Sequence, residues 1–172
     1  YSGCVFPQLS GAICGGYCAG FNAARAAKAE RVPGPIDEET AAREKERIFA
    51  PLQRDDGLSY REFEGAIRSV MDYYIGLVRN EKGMQIALNK LRFIGTYADR
   101  IRAADMHELL RTQESLFLHK TCELSVLTCI ERRESGRCVY RRTDYHGLNS
   151  EMNKPIVIWQ EAGQFHFSWG RT

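Results

Sequence analysis

The stretch Ser59-Tyr60-Arg61-Glu62-Phe63-Glu64-Gly65-Ala66-Ile67-Arg68-Ser69-Val70-Met71-Asp72-Tyr73-Tyr74-Ile75-Gly76-Leu77-Val78 decides the fold. Ser59 and Glu62 have the spacing of a capping box, in which a hydroxyl and a carboxylate satisfy each other's backbone amides at a helix start. Behind that start Phe63, Ile67, Val70, Met71, Tyr74, Ile75 and Val78 recur at helical spacing and form one wide apolar stripe. A stripe this wide needs other helices to cover it.

Those helices follow in the sequence. Residues 80–83 interrupt the pattern, and Met84, Leu88, Leu91, Ile94, Ala98 and Ile101 resume it. A long third helix, from about 104 to 133, turns Leu109, Leu110, Leu116, Leu124, Leu127 and Ile130 inward. Three long helices on short connections predict a bundle. Upstream, Asp37 can cap a short helix that Pro51 ends, and Asp55-Asp56-Gly57 makes a turn. Downstream, Ile156-Val157-Ile158-Trp159 and Phe165-His166-Phe167-Ser168-Trp169 flank a turn containing Gly163 and read as a β-hairpin, with His166 a surface or cross-strand side chain. The expected fold is therefore mainly α: a three-helix bundle preceded by a glycine-rich loop and helix and followed by a small β-hairpin.

The clearest boundary is Arg31-Val32-Pro33-Gly34-Pro35, where two prolines around a glycine forbid a continuous helix or strand. The expected parts are 1–32, 33–150 and 151–172. Before the boundary, Gly11, Gly15, Gly16 and Gly20 punctuate a segment that turns alanine-rich. Such a segment can open a helix whose free N-terminal amides face an anionic or carbonyl-bearing ligand. Close packing of helices through small residues explains the same glycines equally well. The spacing does not match the G-x-G-x-x-G dinucleotide fingerprint.

Composition excludes several classes. A chain of 172 residues can bury roughly 70% of its unfolded surface, enough for a full core. The 24 basic and 22 acidic residues are spread along the chain, so no basic tract marks a nucleic-acid binder. No apolar run reaches the ~20 residues of a membrane-spanning helix. The chain opens at Tyr1 with neither methionine nor a signal segment, which suggests a fragment or a processed product. Six cysteines in this length do not demand a disulfide framework, so reduced thiols in the cytoplasm are expected. Cys14 and Cys18, and Cys122 and Cys129, fall at helical spacing but read as small buried hydrophobes, and no metal site is expected.

The densest polar segment is Glu134-Ser135-Gly136-Arg137-Cys138-Val139-Tyr140-Arg141-Arg142-Thr143-Asp144-Tyr145. Arg137, Arg141 and Arg142 could form an anion site with Tyr140 and Tyr145 as donors, since arginine forks suit carboxylate, phosphate or sulfate. They could instead pair with Glu131, Glu134 and Asp144 and lock the helices to the tail. Arg137, Arg141, Arg142, Asp144 and Tyr145 are the candidate cluster under either reading.

With these residues laid out, the chain resembles the C-terminal portion of the fumarate reductase and succinate dehydrogenase flavoprotein family, which includes L-aspartate oxidase and the adenylylsulfate reductase flavoprotein. Ser69-Val70-Met71 with Gly76-Leu77-Val78-Arg79 is similar to its bundle segment, and Glu123-Leu124 to its Glu-Leu-x-Asn-Leu-Leu. The run from Arg133-Glu134-Ser135 to Asp144-Tyr145 is similar to Arg-x-Glu-Ser-Arg-Gly-Ala-His-x-Arg-x-Asp-Tyr-Pro, with Gly136-Arg137 inverted and His146 in place of the proline. Gly11-Ala12-Ile13-Cys14-Gly15-Gly16 lacks the arginine with which dicarboxylate-handling members bind a substrate carboxylate.

The resemblance implies an FAD-dependent oxidoreductase whose catalytic residues and dinucleotide motif lie outside this chain. It implies that amides of Gly15, Gly16 and Tyr17 face the flavin, that the bundle scaffolds a missing N-terminal FAD domain, and that an iron-sulfur or other electron-transfer subunit docks on it. The isolated chain is then expected to hold FAD weakly or not at all, to be inactive, and to self-associate through Ile13, Tyr17 and Phe21. A cytoplasmic location, or one peripheral to a membrane through a partner, fits that reading. The alternative is a free-standing helical interaction module without catalysis.

Overall fold

A computed structural model describes residues 6–29, 34–136, 141–161 and 163–170. The chain divides into two compact units between Ala42 and Arg43. The first unit contains α1 (Phe6–Ala29) and the start of α2 (Glu38–Phe49). Asp37 caps α2, accepting from the Thr40 amide at 2.9 Å, and Pro51 lies in the 3-10 turn Ala50–Gln53 that ends it. Of the Arg31 to Pro35 boundary, residues 31–33 lie outside the described residues.

α1 departs from the expected loop followed by a helix, because it is helical throughout. Among the described residues a methyl at Gly15, Gly16 or Gly20 would meet nothing within 4 Å, and all three lie in regular helix. The alanine-rich segment follows its local helical preference. Ile13, Tyr17 and Phe21 are exposed along α1, with the Tyr17 and Phe21 rings stacked at 6.5 Å.

The second unit is built on α3 (Tyr60–Tyr74), α4 (Glu81–Gly95) and α5 (Met106–Glu131), each packed against the other two. The capping box forms as expected: Ser59 Oγ accepts from the Glu62 amide at 3.3 Å, and Glu62 accepts from the Ser59 amide at 2.8 Å. Phe63, Ile67 and Val70 from α3, Met84, Ala87, Leu88 and Leu91 from α4, and Cys122 and Val126 from α5 make one core. Asn80 and Asp105 cap α4 and α5 through the amides of Gly83 and Glu108.

Three expectations about this core are corrected. α3 ends at Tyr74, and Val78 is exposed in the short strand β1 (Val78–Arg79). Ala98 and Ile101 lie beyond α4; Ile101 is fully buried in an extended bridge to Leu58, closed by Leu58 N to Arg100 O and Arg102 N to Leu58 O at 2.9 Å each. Leu110 faces outward at 58% exposure, because Leu109 already fills the inward position.

β1 pairs in parallel with β2 (Arg141–Arg142), placing Val78 opposite Arg141 and Arg79 opposite Arg142. The tail forms the expected hairpin of β3 (Ile156–Glu161) and β4 (Gln164–Trp169), antiparallel, with Gly163 at φ +79° in its turn. His166 is the cross-strand partner of Trp159, its ring stacked 5.6 Å away. Among the described residues no helix is long and apolar enough to cross a membrane.

Candidate functional site: a buried arginine knot

The pairing of β1 with β2 decides which arginine goes inside. Successive side chains of a strand face opposite ways, and here Arg142 is 2% exposed while Arg141 is exposed. The register is held by Arg141 N donating to Leu77 O at 2.7 Å and Thr143 N to Arg79 O at 2.9 Å.

A buried guanidinium must have its donors satisfied or it destabilises the fold. Arg142 uses all three of its nitrogens. Nε donates to Asp144 Oδ1 at 2.9 Å, and Nη2 donates to Asp144 Oδ2 at 2.7 Å and Glu81 Oε2 at 2.6 Å. Nη1 reaches the carbonyls of Cys129, Ile130 and Arg132 at 3.1 to 3.2 Å. These carbonyls lie at the end of α5, where the helix leaves acceptors unsatisfied and its dipole favours a cation. Tyr145 places its ring 4.7 Å from the guanidinium carbon.

The charge states follow from this geometry. Burial acts to lower the pKa of Arg142, but the hydrogen bonds and charges of Asp144 and Glu81 outweigh it, so the group is held more firmly protonated than a free arginine. Asp144 is pulled down to about 2, chiefly by the hydrogen bond from Arg142, with burial opposing.

A second layer secures the surroundings. Ser135 Oγ accepts from Arg142 N at 2.7 Å and hydrogen-bonds the carbonyl of Tyr145, and Ser135 N donates to Gly147 O at 2.9 Å. Glu134 is fully buried, accepting from Arg132 Nη1 at 2.6 Å and from Asn149 N at 3.1 Å. Arg132 also donates to the carbonyls of Met152 and Lys154 at 3.0 Å, and Trp169 Nε1 donates to Glu131 at 3.3 Å. Arg79 Nη1 lies 2.9 Å from Cys129 Sγ.

Of the sequence-derived cluster, Arg142, Asp144 and Tyr145 come together as a structural lock. Arg141 faces away, and Arg137 lies outside the described residues, as does Tyr140. Among the described residues Asp144 binds Arg142 as expected, Glu134 binds Arg132 and Glu131 accepts from Trp169, while any pairing of Arg137 lies outside them. Glu81 was missed. It lies 61 residues from Arg142, and only its place in the first turn of α4, after the Asn80 cap, brings it within reach.

The other site residues stand as follows. Gly15, Gly16 and Tyr17 sit well inside α1 rather than at its N-terminus, so their amides belong to the helix ladder. In this conformation they do not fit an amide cradle for FAD. Cys14 and Cys18 are exposed, in contrast to the buried reading, while Cys122 is buried and its thiol pKa is raised by that burial. Among the described residues no three His, Cys, Asp or Glu side chains are placed to hold a metal.

Neither family models nor curated protein sequences match the chain. Solved structures do. Adenylylsulfate reductase from Archaeoglobus fulgidus matches 80% of this chain at 25% identity and TM-score 0.74. The quinol fumarate reductase subunit FrdA of E. coli matches 84% at 22% identity and TM-score 0.73, and the Mycobacterium smegmatis Sdh1 complex matches 88% at 16% identity and TM-score 0.69. The chain spans only about a quarter of the length of these proteins, 25% to 27%. Over most of its own length, then, this chain is similar to part of the adenylylsulfate reductase, fumarate reductase and succinate dehydrogenase flavoproteins.

Proposed function

We propose that this chain is the C-terminal section of an FAD-dependent oxidoreductase of the fumarate reductase and succinate dehydrogenase type, in which the helical bundle scaffolds a flavin domain and docks an electron-transfer partner. The observation that carries this reading is the match of 80% of the chain to adenylylsulfate reductase at TM-score 0.74. The arginine knot supports it, because the segment with the most specific sequence likeness to the family is also the one that fixes the tail to the bundle.

The cofactor belongs to the larger protein, and an iron-sulfur or other electron-transfer subunit is the partner this reading calls for. The exposed Ile13, Tyr17 and Phe21 on α1 are then the face that an adjoining flavin domain would cover. The helical state of Gly15, Gly16 and Tyr17 favours one alternative, a helical interaction module without catalysis.

The two readings separate on the native polypeptide. An antibody raised against this chain should recover from its source a protein several times longer that retains flavin through gel filtration. A flavin-free protein of 19.6 kDa would leave the interaction module standing.

A further inference from the structure

Arg141 is the cluster residue that the lock does not use. Its backbone is fixed by the hydrogen bond to Leu77 O and by pairing with Val78, while its side chain is exposed. Among the described residues its guanidinium meets no carboxylate, carbonyl or ring. The nearby acids are committed: Glu81 and Asp144 to Arg142, and Glu134 to Arg132 and the Asn149 amide. Among the described residues, then, no partner takes up the Arg141 donors, and its backbone sits in a paired strand.

The residue lines a cleft of about 410 Å³ together with Ser135, Gly136, Arg142 and His146. This volume falls within the ~300–1,000 Å³ range of small-molecule sites. Gly136, at φ +98°, adds no side chain of its own to this lining. The Ser135 hydroxyl and the Arg142 guanidinium are spent on the lock, so the groups open to a ligand are the Arg141 fork and the exposed His146 ring. A planar fork of N–H donors matches two oxygens of one ligand group, and the imidazole lines the same cleft.

We infer that this cleft is a binding site for a small oxyanion, a carboxylate or phosphate group, held by Arg141 with His146 as the second donor. The site adjoins the structural knot, sharing Ser135 and Arg142 as wall, and does not depend on the flavin reading.

The test is an NMR titration of the 172-residue chain with sodium phosphate, sodium acetate and, at matched ionic strength, sodium chloride. Saturable shifts of the Arg141 Nε–H and His146 ring signals with phosphate or acetate, but not chloride, are expected. The anion that saturates at the lower concentration identifies the class. Arg141→Gln should weaken that binding at least about tenfold while keeping the wild-type Tm, and His146→Ala should weaken it several-fold. Shifts equal to those with chloride, or wild-type binding in both variants, would overturn the site.

Discussion

Arg142 Nη2 stands 2.6 Å from Glu81 Oε2, joining β2 to the first turn of α4. The same guanidinium binds Asp144 and the last carbonyls of α5, so one side chain ties two helices of the bundle to the tail. Because Arg142 is buried and its partners are charged, Arg142→Ala leaves carboxylates and carbonyls unpaired. It should cost about 3–5 kcal/mol. Arg141→Ala, at an exposed position, should change stability by less than about 0.5 kcal/mol. Urea midpoints of the two variants check this, and equal losses would place the lock elsewhere.

Asp144 should govern the acid limb of stability. Its pKa is near 2 in the folded chain against 3.8 in the ordinary carboxylate. A depressed folded pKa means that its stabilisation is complete above the ordinary value and is lost as pH falls through the folded one. Asp144 is an exposed residue, so solvent screening holds that contribution to about 1 kcal/mol or less. Asp144→Asn should therefore lower the urea midpoint at neutral pH and flatten its fall between about pH 4 and pH 2. A fall as steep as in the wild type would show that Asp144 is not the group titrating.

Gly57 and Gly65 should respond in opposite directions to the same substitution. At Gly57, φ is +146° and an added Cβ would lie 2.2 Å from the Arg100 carbonyl oxygen, which accepts the Leu58 amide in the bridge to Ile101. Gly57→Ala should cost about 3 kcal/mol. Gly65 lies inside α3 with nothing within 4 Å of its Cβ position, so Gly65→Ala should stabilise by up to about 1 kcal/mol. Thermal unfolding followed by circular dichroism reads both.

Thr112 is fully buried in α5, and among the described residues its hydroxyl has no hydrogen-bond partner. A buried donor left unpaired carries a desolvation cost, so Thr112→Val, which keeps the shape, should stabilise by about 1 kcal/mol. A loss of stability on this substitution would mean that the hydroxyl is hydrogen-bonded in solution.

The helices and hairpin were legible because their signals are local. Ser59 and Glu62 cap each other across three residues, and Phe63, Ile67 and Val70 need only helical spacing to share a face. The knot was legible only in part. Whether Arg141 or Arg142 turns inward depends on register with Val78 and Arg79, a pairing between strands of two residues each that no periodicity reveals. Glu81 and the bridge from Leu58 to Ile101 were hidden for the same reason, since each is fixed by the tertiary fold alone. At Gly15 and Gly16 the sequence allowed both a helix entry with amides facing a ligand and close packing of helices through small residues, and both glycines lie inside the regular helix α1.

The most direct measurement is the visible absorption spectrum of the native polypeptide that carries this chain, recovered from its source with an antibody against the β3–β4 hairpin. Flavin bands on a protein much longer than 172 residues are the expected result, and they would make the bundle the scaffold of an oxidoreductase. A colourless protein of 19.6 kDa would contradict that role and leave the arginine knot as the lock of a free-standing helical module.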